Sequence, residues 1–327
     1  MGAGNIVMHD LVSAHDKWHL WSPFLKFSKR QLETKDYDPF HPMLWNLQKG
    51  ADDESALWGS VLYMAFYSMG SAYQAWVTTD PLQVPPEESD KWHIGVQRRN
   101  LRASSVRAHL EDFSKKAKEH GGIRNFLTAN FCGDPERDWE NLILQVESVW
   151  GNGRWAGYTT SELFQKVNNI PVVPSNLGMH GATGPRAGIC RLVPKPKNTD
   201  VSVLEWLGGS LTKELKFRFP DPQIPWARSG VDKAMVESLL CDFNSLAKGR
   251  YYIGRDIDRI AGRIVDQEKK TGFDMLPLWE CREKSFAPYL LTEKRGVTSF
   301  GVDWDRAKMF LNHNAIVDYA DDFMLMV

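Results

Sequence analysis

Apolar positions recur at helical spacing through most of the chain. The longest such block, Ala56 to Thr79, contains no charged residue. Within it Leu57, Val61, Leu62, Ala65, Phe66, Met69 and Tyr73 keep the three-and-four spacing of a buried face, which predicts one central core helix. The block is long enough to cross a bilayer, but Gly59, Ser60, Ser68, Gly70, Ser71 and Gln74 dilute its apolarity and favour burial within protein. Further on, Leu101, Val106, Leu110 and Phe113 mark a second helix, and Trp139, Leu142, Ile143, Val146 and Val149 a third that ends at Gly151. Leu163, Phe164 and Val167 continue the pattern until Pro171 and Pro174 stop it.

The remainder is punctuated differently. Residues 9–50 are rich in Trp, His and Pro and read as an ordered arm; His15 and His19 share a face if helical, without a third metal ligand in view. Seven prolines between 174 and 225 make 194–230 a crossing segment. A helix resumes at Val231 through Met235, Leu239 and Leu240, Tyr251-Tyr252-Ile253 reads as a short β-like piece, and Ile257–Glu268 is helical. The tail from Trp279 to Tyr319 mixes helical and extended pieces such as Phe300-Gly301-Val302-Asp303. The expected organisation is therefore an arm (1–50), a helical core (51–193), the crossing segment and a C-terminal lobe (231–327), mainly α with a few short strands.

Composition narrows the class. The 327 residues are 43% hydrophobic and 25% charged, enough to bury a core. With 40 basic against 41 acidic residues, bulk charge does not direct the chain to nucleic acid. A local patch does point there: Lys91 to Arg124 holds nine Lys/Arg against three acids, with Arg98, Arg99, Arg102 and Arg107 as candidate phosphate contacts. A solvated helix face accounts for the same run equally well. Cys132, Cys190, Cys241 and Cys281 are widely spaced, which implies neither a disulfide framework nor a zinc site and suits a cytoplasmic location. The N-terminus has no basic region followed by an apolar run, so nothing directs export.

Three stretches carry candidate chemistry. In Gly151-Asn152-Gly153-Arg154-Trp155-Ala156-Gly157-Tyr158, followed by a Thr159–Glu162 capping box that would start a helix, Arg154 can grip a phosphate while Trp155 or Tyr158 supports a flat ring. A helical corner with both rings in the core is the alternative. In Gly178–Arg191, Gly184-Pro185-Arg186 forms a glycine-rich turn opening a helix, with amides able to face an anion and a form that resembles the hairpin of helix-hairpin-helix modules. In Gly249-Arg250-Tyr251-Tyr252-Ile253-Gly254-Arg255-Asp256-Ile257-Asp258, an extended backbone would put both carboxylates on one side as a proton-accepting pair; a helix cap is the plainer alternative.

Taken in order, Gly95-x-x-Arg98-Arg99-x-x-Arg102, Gly151-Asn-Gly-Arg-Trp-Ala, Gly184-Pro-Arg-Ala-Gly and the Gly249–Asp258 block resemble the bacteriophage amino acid:DNA transferases, relatives of the α-glutamyl/putrescinyl-thymine pyrophosphorylases, across roughly 55–320. The chain departs from the pattern where Arg255 stands in place of a histidine and Pro185-Arg186 in place of a glycosylase lysine hairpin. The resemblance implies a helical bundle like that of helix-hairpin-helix DNA glycosylases, in one or two lobes. It implies a reaction in the host cytoplasm on flipped bases of double-stranded phage DNA: the pyrophosphate on 5-hydroxymethyluracil is replaced by the amine of a free amino acid, with glycine and serine both open, and without metal or organic cofactor. Catalytic roles would fall to Asp256, Asp258, Arg154 and Arg186. Trp155, Tyr158, Gly153, Gly184 and Tyr252 would bind substrate, and Arg98, Arg99, Arg102 and Arg107 the DNA backbone. A glycosylase acting on a modified base and a non-catalytic DNA-binding protein are the competing readings.

Overall fold

The computed structural model describes residues 20–95, 103–193, 199–220 and 230–291. Arg98, Arg99 and Arg102, the His15/His19 pair and the 300–303 piece lie outside them. The helices are, in chain order, α1 (Trp21–Thr34), α2 (Phe40–Leu47), α3 (Asp53–Phe66), α4 (Met69–Thr78), α5 (Ala103–Glu119), α6 (Ile123–Thr128) and α7 (Pro135–Glu147). They continue as α8 (Arg154–Val167), α9 (Thr183–Leu192), α10 (Val201–Arg218), α11 (Lys233–Leu246), α12 (Arg255–Thr271) and α13 (Leu276–Ser285). The fold is mainly α. Among the described residues there is no strand, so Tyr251–Ile253, expected to be β-like, is irregular chain between two helices. No helix among them is long and apolar enough to cross a membrane.

Two compact units divide the described residues: one takes 39–95, 103–175 and 256–291, the other 20–38, 176–193, 199–220 and 230–255. The first is built around α3, where Leu57, Trp58, Val61, Leu62, Ala65 and Phe66 are all buried. Asp52 caps this helix by accepting from the Ser55 amide at 3.0 Å. The expected single helix over 56–79 is two: α3 ends at Tyr67, which turns left-handed (φ 47°), and α4 restarts after extended Ser68. Tertiary bonds hold the break. Arg263 Nη1 donates to the Tyr67 carbonyl at 2.9 Å, and the Gly95 amide donates to the Phe66 carbonyl at 2.9 Å. The apolar spacing runs unbroken across this corner, and so gives no sign of it.

α7 and α8 form an antiparallel pair in which Gly157 permits close contact, since a Cβ there would lie 2.6 Å from Glu147 Cγ. Asp134 caps α7 ahead of Pro135 in its first turn, and Trp139, Leu142 and Val146 are buried as their spacing foretold.

In the second unit, α9 lies against α11 through two glycines. A Cβ on Gly188 would come 2.1 Å from the Leu240 carbonyl oxygen, and one on Gly184 2.5 Å from Cys241 Sγ. Within the crossing segment 194–230 the chain forms α10, capped by Asp200. Glu205 of this helix accepts from the amides of Leu177 and Met179 at 2.8 and 2.7 Å, fixing the turn that leads into α9. Phe24 and Phe27 of α1 pack on Phe243. Buried Asp36 accepts from the Tyr251 hydroxyl and from the Gly254 amide at 2.6 Å, and Gln31 donates to the Tyr251 oxygen at 2.8 Å. Tyr251 and Gly254 therefore tie residues 249–255 to the end of α1.

Candidate functional site

The Gly151–Glu162 stretch folds as a short turn and a helix that begins six residues earlier than its capping box suggested. Gly151 turns at φ +87°, Gly153 is extended, and α8 starts at Arg154. Thr159 and Glu162 are inside the helix, and Glu162 is buried, so they do not form its first turn. Among the described residues this start is left bare. Gly153 offers no side-chain cap, the first turn carries no acid, and the amides ahead of Gly157 have no acceptor within the helix. α3 and α7, by contrast, carry Asp53 with Glu54 and Glu136 with Asp138 in their first turns. Exposed Arg154 makes no hydrogen bond or ion pair among the described residues. A cation at the positive end of a helix costs roughly 0.3–1 kcal/mol, which a bound anion would reverse.

Beside Arg154, the Trp155 ring stands 5.5 Å from that of Tyr67 at an interplanar angle of 70°. Tyr67 in turn lies 5.6 Å from Tyr63, which stacks on Phe40 at 4.8 Å. Two arginines of α12 close on this aromatic group. The Arg263 guanidinium is 5.1 Å over the Tyr67 ring while it holds the Tyr67 carbonyl. Arg259 bonds Asp256 Oδ1 at 2.9 Å, and the Asp256 charge, with lesser contributions from Tyr67 and Tyr63, raises its pKa. Gly95 is needed where it stands: a Cβ there would be 1.9 Å from the Tyr67 carbonyl oxygen and 3.1 Å from Arg263 Cζ.

The aspartate pair is arranged otherwise than expected. Asp256 and Asp258 lie in the first turn of α12 rather than in extended chain. Two helical residues apart, they point in directions about 160° apart around the helix axis. Asp256 faces Arg259; Asp258 is 1% exposed. Tyr158 meets Trp139 edge-on at 5.3 Å, and Arg107 pairs with Asp90 at 3.5 Å. In the second unit Arg186 is in the first turn of α9, making no hydrogen bond or ion pair among the described residues, and Tyr252 is buried. Phe40, Tyr63, Tyr67, Arg259 and Arg263 were not foreseen. The spacing of Asp256, Arg259 and Arg263 on one face of α12 was the available signal. The two tyrosines were hidden inside a block that reads as plain core.

Behind the rings, α2 and α8 enclose a buried polar group. A ring nitrogen of His41 and a carboxylate oxygen of Glu162 come within 4.8 Å, and Glu162 and Lys166 are one turn apart on α8. All three are almost fully buried. Burial, then the Lys166 charge, pushes the His41 pKa well below its ordinary value, so the folded protein holds this ring neutral. The unfolded chain takes up its proton first as pH falls. His41 therefore adds stability above about pH 6.5 that is lost progressively below it. Unfolding midpoints measured between pH 7.5 and 5 should fall with pH, and less steeply in His41→Gln; equal slopes would contradict this assignment.

A family model described as amino acid:DNA transferase matches residues 32–252, more than half of the chain. No curated protein matches it.

Proposed function

Since the chain belongs to the amino acid:DNA transferase family, we propose that it acts on 5-(pyrophosphoryloxymethyl)uracil in DNA and replaces the pyrophosphate with the amine of a free amino acid. The observation that carries this reading is the start of α8, which among the described residues has an arginine without a partner on amides without a cap, next to an indole. Such a corner suits a phosphate-bearing group on a flat base. The base would leave the stack, at a cost of a few kcal/mol, and rest against Trp155. In the reaction the amine nitrogen forms a bond to the methylene carbon as the carbon–oxygen bond breaks. Pyrophosphate departs with the electron pair, and the nitrogen gives up a proton.

Arg154 and the α8 amides would stabilise charge growing on the departing oxygen. Asp256, held in place by Arg259, is the proposed proton acceptor. Arg186 is a proposed phosphate ligand on the second unit, and Arg107, with Arg98, Arg99 and Arg102, a proposed backbone contact. Glycine and serine are the amino acids to try first. The test is to incubate the protein with pyrophosphorylated hydroxymethyluracil DNA and an amino acid pool, digest it and weigh the nucleosides. A gain of one amino acid with loss of pyrophosphate is expected; base loss or unchanged nucleosides would overturn the reading. Asp256→Asn should lower the rate by about 10²- to 10⁴-fold in the same assay.

A further inference from the structure

Trp150, in the turn between α7 and α8, has half its surface exposed (52%). A single exposed aromatic ordinarily means little. This one differs because its main chain is clamped on both sides. The Trp150 amide donates to Asp112 Oδ2 at 2.8 Å, and the carbonyl accepts from His109 Nδ1 at 2.8 Å. A carbonyl can only accept, so Nδ1 carries the proton. His109 is buried, and burial lowers its pKa, keeping this neutral form. Lys116 fixes Asp112 in turn through both carboxylate oxygens, at 2.9 and 2.7 Å. Either side, Val149 is buried, and Asn152 donates its side-chain amide to the Val146 carbonyl at 2.9 Å. A rigid corner thus presents one large flat ring to solvent, four residues before Arg154, which has no partner among the described residues.

We infer that Trp150 inserts into the DNA stack where the modified nucleotide is extruded, filling the gap the base leaves. The partner is duplex DNA rather than protein, because the neighbouring groups, Arg154 and the uncapped amides of α8, complement phosphate. A fixed backbone suits insertion, since little conformational freedom remains for the indole to lose when it enters the stack. This inference rests on the proposed action at a DNA base, but its readout does not require turnover.

The experiment uses the full chain and a duplex with one 5-hydroxymethyluracil paired to 2-aminopurine, whose fluorescence rises when it loses its partner and its stacking is disturbed. Wild-type protein should raise the fluorescence. Trp150→Ala should reduce the affinity of the unstacked complex about tenfold or more, and Trp150→Phe should restore part of it. On single-stranded pyrophosphorylated DNA, Trp150→Ala should lose much less transfer than on duplex, because no stack has to be opened. No fluorescence rise with wild type would overturn the inference. So would a Trp150→Ala protein that unstacks the duplex normally, or one that loses single- and double-strand activity alike. A rise without any mass-shifted nucleoside would leave insertion standing and count against the proposed reaction alone.

Discussion

Arg154→Ala should lower amino acid transfer by about 10²- to 10³-fold, the loss expected when a donor to a developing oxyanion is removed. The same change should leave the protein as stable as before or slightly more so, because it takes a cation off the positive end of α8, worth roughly 0.3–1 kcal/mol. Activity and stability moving in opposite directions would mark a residue kept for its ligand. Arg154→Lys keeps the charge but loses the planar fork, so an intermediate rate is expected. Single-turnover nucleoside mass analysis beside thermal unfolding reads both quantities. Unchanged transfer in Arg154→Ala would remove the bare helix start from the reaction.

A second large effect is expected from Gly95→Ala. The new methyl group would lie 1.9 Å from the Tyr67 carbonyl oxygen, so backbone must move, and with it the bond from Arg263 that fixes Tyr67. Overpacking of this kind costs about 1–3 kcal/mol. Transfer should fall further than stability explains, because Tyr67 contacts Trp155. Gly188→Ala is the matched control. Its methyl would lie 2.1 Å from the Leu240 carbonyl oxygen, an equal clash, but in the packing of α9 on α11. That variant should lose similar stability but leave the Tyr67–Trp155 contact intact, so its folded fraction should lose less turnover than that of Gly95→Ala. Equal specific activities in the two variants would show that Tyr67 is structural only.

Elements held by local rules were legible in the sequence. The Trp139, Leu142, Val146 stripe and the glycine that ends it describe α7 and its turn, and both are where the spacing put them. Where distant residues decide the backbone, the pattern failed. The break at Tyr67 depends on Arg263 and Gly95, and the tether of Tyr251 depends on Asp36, more than two hundred residues away. At 255–258 the short alternation of charged and apolar residues fits a strand or a helix start, and the amphipathic run through Gln267 gives helix. The arginine-bearing glycine corners were visible because glycines beside an arginine, and at 151–158 two large rings, stand out in the residues themselves; the true start of α8 was not, since Thr159 and Glu162 imitate a capping box inside the helix. The aromatic group was not, since tyrosine at core spacing looks like any buried ring.

The tie between Asp36 and Tyr251 has a consequence for biosynthesis. Each unit is assembled from stretches that leave the ribosome at widely separated times: α1 must wait for Tyr251, and α3 and α4 for α12. At about 5–20 residues per second the delay lasts on the order of ten seconds or more, with α1 made before the Phe243 and Tyr251 rings that cover Phe24 and Phe27. No cut at residue 175 would yield a self-sufficient fragment, and a nascent chain stalled there should engage chaperones longer than one whose domains follow one another in sequence.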